Sequence, residues 1–171
     1  MLVVVMGVSG SGKTTLGKAL AERLGVAFVE ADEFHPPANV ESMRAGRPLS
    51  DAQRLPWIDA IAAAVNRLTD AAPSDRCAPC AVLACSALSE AVRARLAAGV
   101  TARIFWVHLH GDEALIRQRL DQRRGHYMSS ALLGSQFAAL QPPAEALQLD
   151  CADPPSQLLE SALTALAGLS R

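Results

Sequence analysis

The 171-residue chain lacks an excess of either charge: Lys plus Arg number 16 and Asp plus Glu 17. A general nucleic-acid binder needs a basic surplus, so the balance excludes that class. It leaves room for a small anionic ligand held by a few local arginines. Long apolar runs are also missing, and none approaches the roughly 20 residues of a membrane helix. The N-terminus, MLVVVMG, has no basic leader region and too short an apolar stretch for a secretory signal, so a cytoplasmic protein with no membrane partner is expected. Cysteines are few. Cys77 and Cys80 form CAPC, but Cys85 and Cys151 stand apart and supply no second pair for a four-ligand zinc site. CAPC precedes a strand-like run instead of opening a helix after one, which argues against redox chemistry and for reduced thiols. With no repeat, low-complexity tract or long linker, residues 1–171 read as one domain.

What is present is an alternation of apolar runs and helical patterns. Strands are expected at 2–6, 26–29, 81–84, 102–109 and 146–149. Helices are expected at 13–24, 39–45, 51–68, 88–97, 112–123 and 155–169, with a further helical stretch through Leu132, Phe137 and Leu140. The helix at 51–68 carries Trp57, Ile58, Ile61, Val65 and Leu68 on one face. Ser50 or Asp51 can cap it, and Pro56 falls near its first turns. Continuously apolar strands separated by helices indicate an α/β fold with a parallel sheet covered on both faces. Two stretches fit the alternation poorly, 32–50 and 124–143. Insertions of this kind belong above the C-terminal edge of the strands, where ligands bind.

GVSGSGKT, Gly7 to Thr14, matches the phosphate-binding pattern G-x-x-x-x-G-K-[ST] in full, with a strand before it and a helix after. Phosphate oxygens must meet several backbone N–H groups at once. Gly7, Val8, Ser9, Gly10, Ser11 and Gly12 supply that loop, and the following helix turns its positive end toward the anion. Lys13 places a cation on the β- and γ-phosphates, Thr14 offers a hydroxyl to Mg²⁺, and Thr15 serves the α-phosphate. The expected ligand is a nucleoside triphosphate, taken as ATP, with magnesium.

Neither D-x-x-G nor N-K-x-D occurs, which excludes a GTPase switch. The third strand, AVLACSAL, ends without the acid pair of a motor ATPase. The acids lie in EADEFHPP instead, at the end of the second strand and beside the phosphate loop. Asp32 is the candidate base that orients an acceptor hydroxyl; otherwise it is a turn former or helix cap. Glu30 is placed for a water-mediated contact to magnesium, or is a strand-end surface acid. His35 is a donor to a polyol or carboxylate, or a turn residue. Arg119 and Arg123, one helical turn apart, suit a transferring γ-phosphate or form a solvated cationic face.

These residues resemble the gluconokinase family nearly end to end. The likeness rests on MGVSGSGKTT, EADEFHP, the block from Asn39 through Met43, Gly46, Pro48, Leu49, Asp51, Arg54, Pro56 and Trp57, on ACSAL, and on RRGHYMSSALLGSQFAALQPP. The resemblance implies ATP-dependent phosphorylation of D-gluconate to 6-phospho-D-gluconate, Mg²⁺ as the metal and a homodimer. It also implies a nucleoside-monophosphate-kinase-like three-layer α/β/α core, with five parallel strands in order 2-3-1-4-5 and a mobile lid at 124–143. Carried over by position, Asp32, His35, Arg54, Arg93, His126 and Gln136 form the sugar-acid pocket, with Arg54 on the carboxylate. Lys13, Thr14 and Thr15 hold phosphate and metal, and Arg119 and Arg123 belong to the nucleotide and lid side. Two departures stand out. Ser89 occupies the place of a usual lysine, with only Arg93 of the following run retained, and Glu30 stands where some relatives carry aspartate. A kinase of another small hydroxy acid, such as shikimate, and a non-catalytic nucleotide-binding module are the alternatives.

Overall fold

The computed structural model describes residues 1–70, 78–122 and 132–169. Its elements run β1 (Leu2–Met6), α1 (Lys13–Leu24), β2 (Ala27–Glu30), α2 (Pro37–Arg44), α3 (Asp51–Asp70), β3 (Ala81–Ala84), α4 (Glu90–Gly99), β4 (Ile104–His110), α5 (Glu113–Asp121), α6 (Leu133–Ala139), β5 (Leu147–Asp150) and α7 (Pro155–Gly168). The strands form one parallel sheet in the order β2-β3-β1-β4-β5.

β1 lies at the centre and is buried throughout. Its side chains alternate between two cores, as the period of a strand requires. Leu2, Val4 and Met6 face one side, with Trp57, Ile58, Ile61 and Val65 of α3 and Val92 and Leu96 of α4. Val3 and Val5 face the other, with Leu16 and Leu20 of α1 and Leu158, Ala162 and Leu166 of α7. The result is the three-layer α/β/α sandwich. Because all strands point one way, the loops after β1, β2 and β3 open at the same edge.

Several boundaries differ from the expected ones for local reasons. β2 extends to Glu30, so this acid is the last residue of an edge strand. α2 begins at Pro37, where proline's fixed φ and missing N–H suit a first helical turn. α4 begins at Glu90 because the Ser89 hydroxyl accepts from the Val92 N–H and sets the start there. Leu68, expected on the buried face, is 36% exposed near the end of α3.

α3 starts with a reciprocal cap. The Ser50 hydroxyl accepts from the Gln53 N–H (3.3 Å), and the Gln53 side-chain oxygen accepts from the Ser50 N–H (2.9 Å). Pro56 lies within the helix, where it has no N–H for the preceding turn. The next residue, Trp57, is 2% exposed, and its indole N–H donates to the Ala31 carbonyl at 2.6 Å. This bond ties α3 to the 3-10 turn of Ala31–Phe34 that carries Asp32. Trp57→Phe leaves that carbonyl without its donor. It should lower stability by about 1–3 kcal/mol in urea denaturation, and an unchanged midpoint would remove the tie from the account.

Candidate active site

The segment from Gly7 to Gly12 turns from β1 into α1. Gly7 has φ 145°, and a side chain there would run into the Leu109 carbonyl oxygen, so only glycine fits. Gly12 precedes α1 in the left-handed region at φ 101°, and no side chain caps the helix. The N–H groups of the first turn therefore remain available to an anion. The Lys13 ammonium folds back onto the Val8 carbonyl at 3.0 Å.

Thr14 and Glu30 meet across the gap between α1 and β2. The Thr14 hydroxyl donates to the Glu30 carboxylate at 2.7 Å. With its proton committed there, the oxygen presents its lone pairs outward, as a cation ligand must. Burial raises the Glu30 carboxyl above its ordinary range, the Thr14 bond opposes the rise, Asp32 adds to it and Lys13 lowers it. A half-buried carboxylate held at such a disadvantage gains from a nearby cation. Mg²⁺ keeps several waters and takes few protein ligands, so one hydroxyl backed by one carboxylate fits it.

Two cavities flank the loop. One, of about 290 Å³, is lined by Gly10, Ser11, Gly12, Thr15, Arg119 and Cys151, among others. The other, of about 330 Å³, contains Ser9 and Lys13 together with Asp32, His35, Arg54 and Gln136. The loop thus separates two cavities, the one with Thr15 and Arg119 matching the expected nucleotide side and the one with Asp32 and His35 the expected acceptor side. Lys13 and Asp32 share the second cavity, as a group passing from one ligand to the other requires.

On the acceptor side, His35 stacks on Trp57 with centroids 4.2 Å apart and planes 11° from parallel. Burial lowers the His35 pKa; Asp32 opposes this and Arg54 adds to it. The lowered pKa favours the neutral ring, and its buried Nδ1 has no protein partner among the described residues. Arg54 lines the cavity wall and pairs with the exposed Asp51 at 2.9 Å. Met43, Leu49 and Leu132 form a small apolar cluster joining the insertion to the base of α6.

Arg93, expected at the sugar acid, is bonded to the corner that follows β3. Its guanidinium donates to the carbonyls of Ala87 (3.1 Å) and Leu88 (3.0 Å). Ala87 is buried at φ 43°, a conformation unfavourable to a residue with a side chain. Ser86 accepts from the Gly7 N–H, and Gln141 bonds both Leu88 and Glu90, so the corner is held from several directions. Gln136 faces the loop, and its side-chain oxygen accepts from the Ser9 N–H at 2.7 Å. Arg119 lines the nucleotide-side cavity. Arg123 and His126 lie outside the described residues, as does the 124–131 part of the expected lid; 132–143 is described and contains α6.

Sequence reasoning missed the Ser86–Leu88 corner, Gln141 and the stacking role of Trp57. A tryptophan two turns into a helix signals core, and nothing local marks it as a ring platform.

Residues 2–145 match the family model described as AAA domain. A gluconokinase from Gluconobacter oxydans is 43% identical over 143 residues, spanning 84% of this chain and 76% of the relative. A sugar kinase from Janibacter superposes with a TM-score of 0.86 at 41% identity, covering 97% of this chain and 94% of that one. A gluconokinase from Sinorhizobium meliloti gives 0.82 at 39%, covering 98% and 91%. The chain belongs to the gluconokinase family.

Ser89, where gluconokinases usually carry lysine, has a local task here as the cap of α4. The neighbouring Arg93 holds the corner's carbonyls, so its loss acts through Ala87. Arg93→Ala should raise the KM for the acceptor while leaving nucleotide affinity in place. Adding Ala87→Gly should recover part of that loss, because glycine adopts the corner's φ without strain. Strictly additive losses in the double variant would contradict the strain account.

Proposed function

We propose that this protein transfers the γ-phosphoryl group of ATP to the 6-hydroxyl of D-gluconate, giving ADP and 6-phospho-D-gluconate. The observation that carries the reading is the acceptor-side cavity, which sets Asp32, His35 and Arg54 against the Lys13 face of the phosphate loop. Family membership supplies the substrate class.

The residues divide the work as follows. Backbone N–H groups of Gly7–Gly12, with Val8, Ser9, Gly10 and Ser11 between, hold the phosphate chain, and Thr15 supports its α end. Arg119 serves the nucleotide side. Lys13 neutralises charge on the transferring group. Thr14 and, behind it, Glu30 would hold Mg²⁺, which supplies charge neutralisation of the phosphate oxygens when bound. Arg54 pairs with the gluconate carboxylate through its planar fork. Neutral His35 hydrogen-bonds the polyol while its ring rests on Trp57. The acceptor oxygen forms its bond to phosphorus as the bond to the ADP oxygen breaks, and its proton passes to the Asp32 carboxylate. The resemblance adds Arg123 at the transferring group and His126 at the sugar acid, with residues 124–143 as a lid that excludes water. The same resemblance supports a homodimer. A cytoplasmic setting is part of the same reading, and no helix among the described residues is long and apolar enough to cross a membrane.

ADP release measured over a panel of sugar acids tests the reading. Gluconate should stimulate release; stimulation by a different acid alone would reassign the substrate, and none by any acid would remove the kinase activity. Asp32→Asn should keep ATP binding and lose about 10²–10⁴ in turnover, and near-normal turnover would remove the base role.

Glu30 gives a further outcome. Its raised pKa means the folded state binds a proton more readily than the unfolded chain does. Its stability contribution is full below the unfolded value near 4.5 and is lost as pH rises through the folded value. Glu30→Gln should therefore raise the melting temperature of the unliganded protein at pH 7, less so toward pH 4, while turnover falls. A lower melting temperature at pH 7 would contradict the burial argument.

A further inference from the structure

The Ser9 N–H is the loop amide on the acceptor side. Ser9 shares the larger cavity with Lys13, whereas Gly10, Ser11 and Gly12 line the smaller one. A phosphoryl group moving between the two cavities must pass this amide. In the structure its partner is the Gln136 side-chain oxygen at 2.7 Å, reached from α6 across 127 residues of sequence. That length is at the short end for N–H···O, so the contact is a formed hydrogen bond. Gln136 is partly exposed on a helix that also lines the acceptor cavity through Ser135, Ala138 and Ala139.

We infer that Gln136 is a positioning residue whose amide oxygen stands in for a γ-phosphate oxygen on the Ser9 N–H. It keeps that donor aimed into the cleft before nucleotide arrives and yields it when a triphosphate binds. The exchange is favourable because a charged phosphate oxygen is a stronger acceptor than a neutral amide oxygen. ADP has no γ-phosphate and leaves the contact in place. The released carboxamide then faces the acceptor cavity, so α6 registers the presence of a transferable group. This inference rests on the triphosphate site of the proposed function and adds the coupling between that site and α6.

Calorimetric titration of the whole protein with Mg²⁺ and either ADP or a β,γ-imido triphosphate, without sugar acid, provides the test. Gln136→Ala removes the competitor. It should tighten the triphosphate analogue about three- to ten-fold relative to ADP, the size of one net hydrogen bond. Gln136→Glu keeps the reach but adds a negative charge, and should weaken the analogue relative to ADP. A residue that only supports the fold would shift both nucleotides together, or both variants in one direction. Either pattern, or an unchanged ratio in Gln136→Ala, would overturn the inference. Because no acceptor is present, a wrong substrate assignment leaves this result untouched, and failure of the wild-type protein to bind either nucleotide would instead indict the phosphate site.

Discussion

The start of α1 has no side-chain cap, and the site is organised around that vacancy. Gly12 enters the helix in the left-handed region, so the first-turn N–H groups point into the space between two cavities. An anion is the natural occupant of such a terminus. Gly7 makes the loop possible by letting the backbone pass against the Leu109 carbonyl. Central β1, with both faces buried, holds the loop's entry rigid. Everything with chemical consequence is then arranged by where the neighbouring strands end: Glu30 and Asp32 after β2 on one side, the Ser86–Leu88 corner after β3 on the other.

Charge in the acceptor cavity is prepared in pairs. Asp51 pairs with Arg54, the residue proposed to meet the acceptor's carboxylate. Asp32 and Arg54 pull the His35 ring in opposite directions, and burial decides the outcome in favour of the neutral form. Glu30 is kept near Thr14 at an electrostatic disadvantage that a cation would relieve. These are features of a site arranged for charged ligands.

The phosphate loop and the parallel α/β character were readable in the sequence because each is encoded locally, whereas the strand order came from the family resemblance. Glycines at fixed spacing, a strand before and a helix after are all visible within 20 residues of sequence. The acids of EADEFHPP were also readable as site candidates, since their position follows from the topology. What could not be read were contacts made at long sequence separation. Gln136 and Ser9 meet only because α6 folds back over the loop. Arg93 was carried over by position from the family resemblance, and its bonds to two carbonyls of a strained corner were not legible in the sequence. The start of α4 lies two residues later than expected because the Ser89 hydroxyl caps the helix at the Val92 N–H.

Cys85 follows β3 directly, is 1% exposed, and burial pushes its thiol pKa up to about 12. Oxidants and alkylating agents attack the thiolate, and at that value almost none exists under physiological conditions. Cys151, beside the nucleotide-side cavity, is likewise buried and shifted upward by burial, though Arg119 pulls the other way. The Cys85 sulfur therefore serves as filler, which makes it an unsuitable handle for covalent labelling.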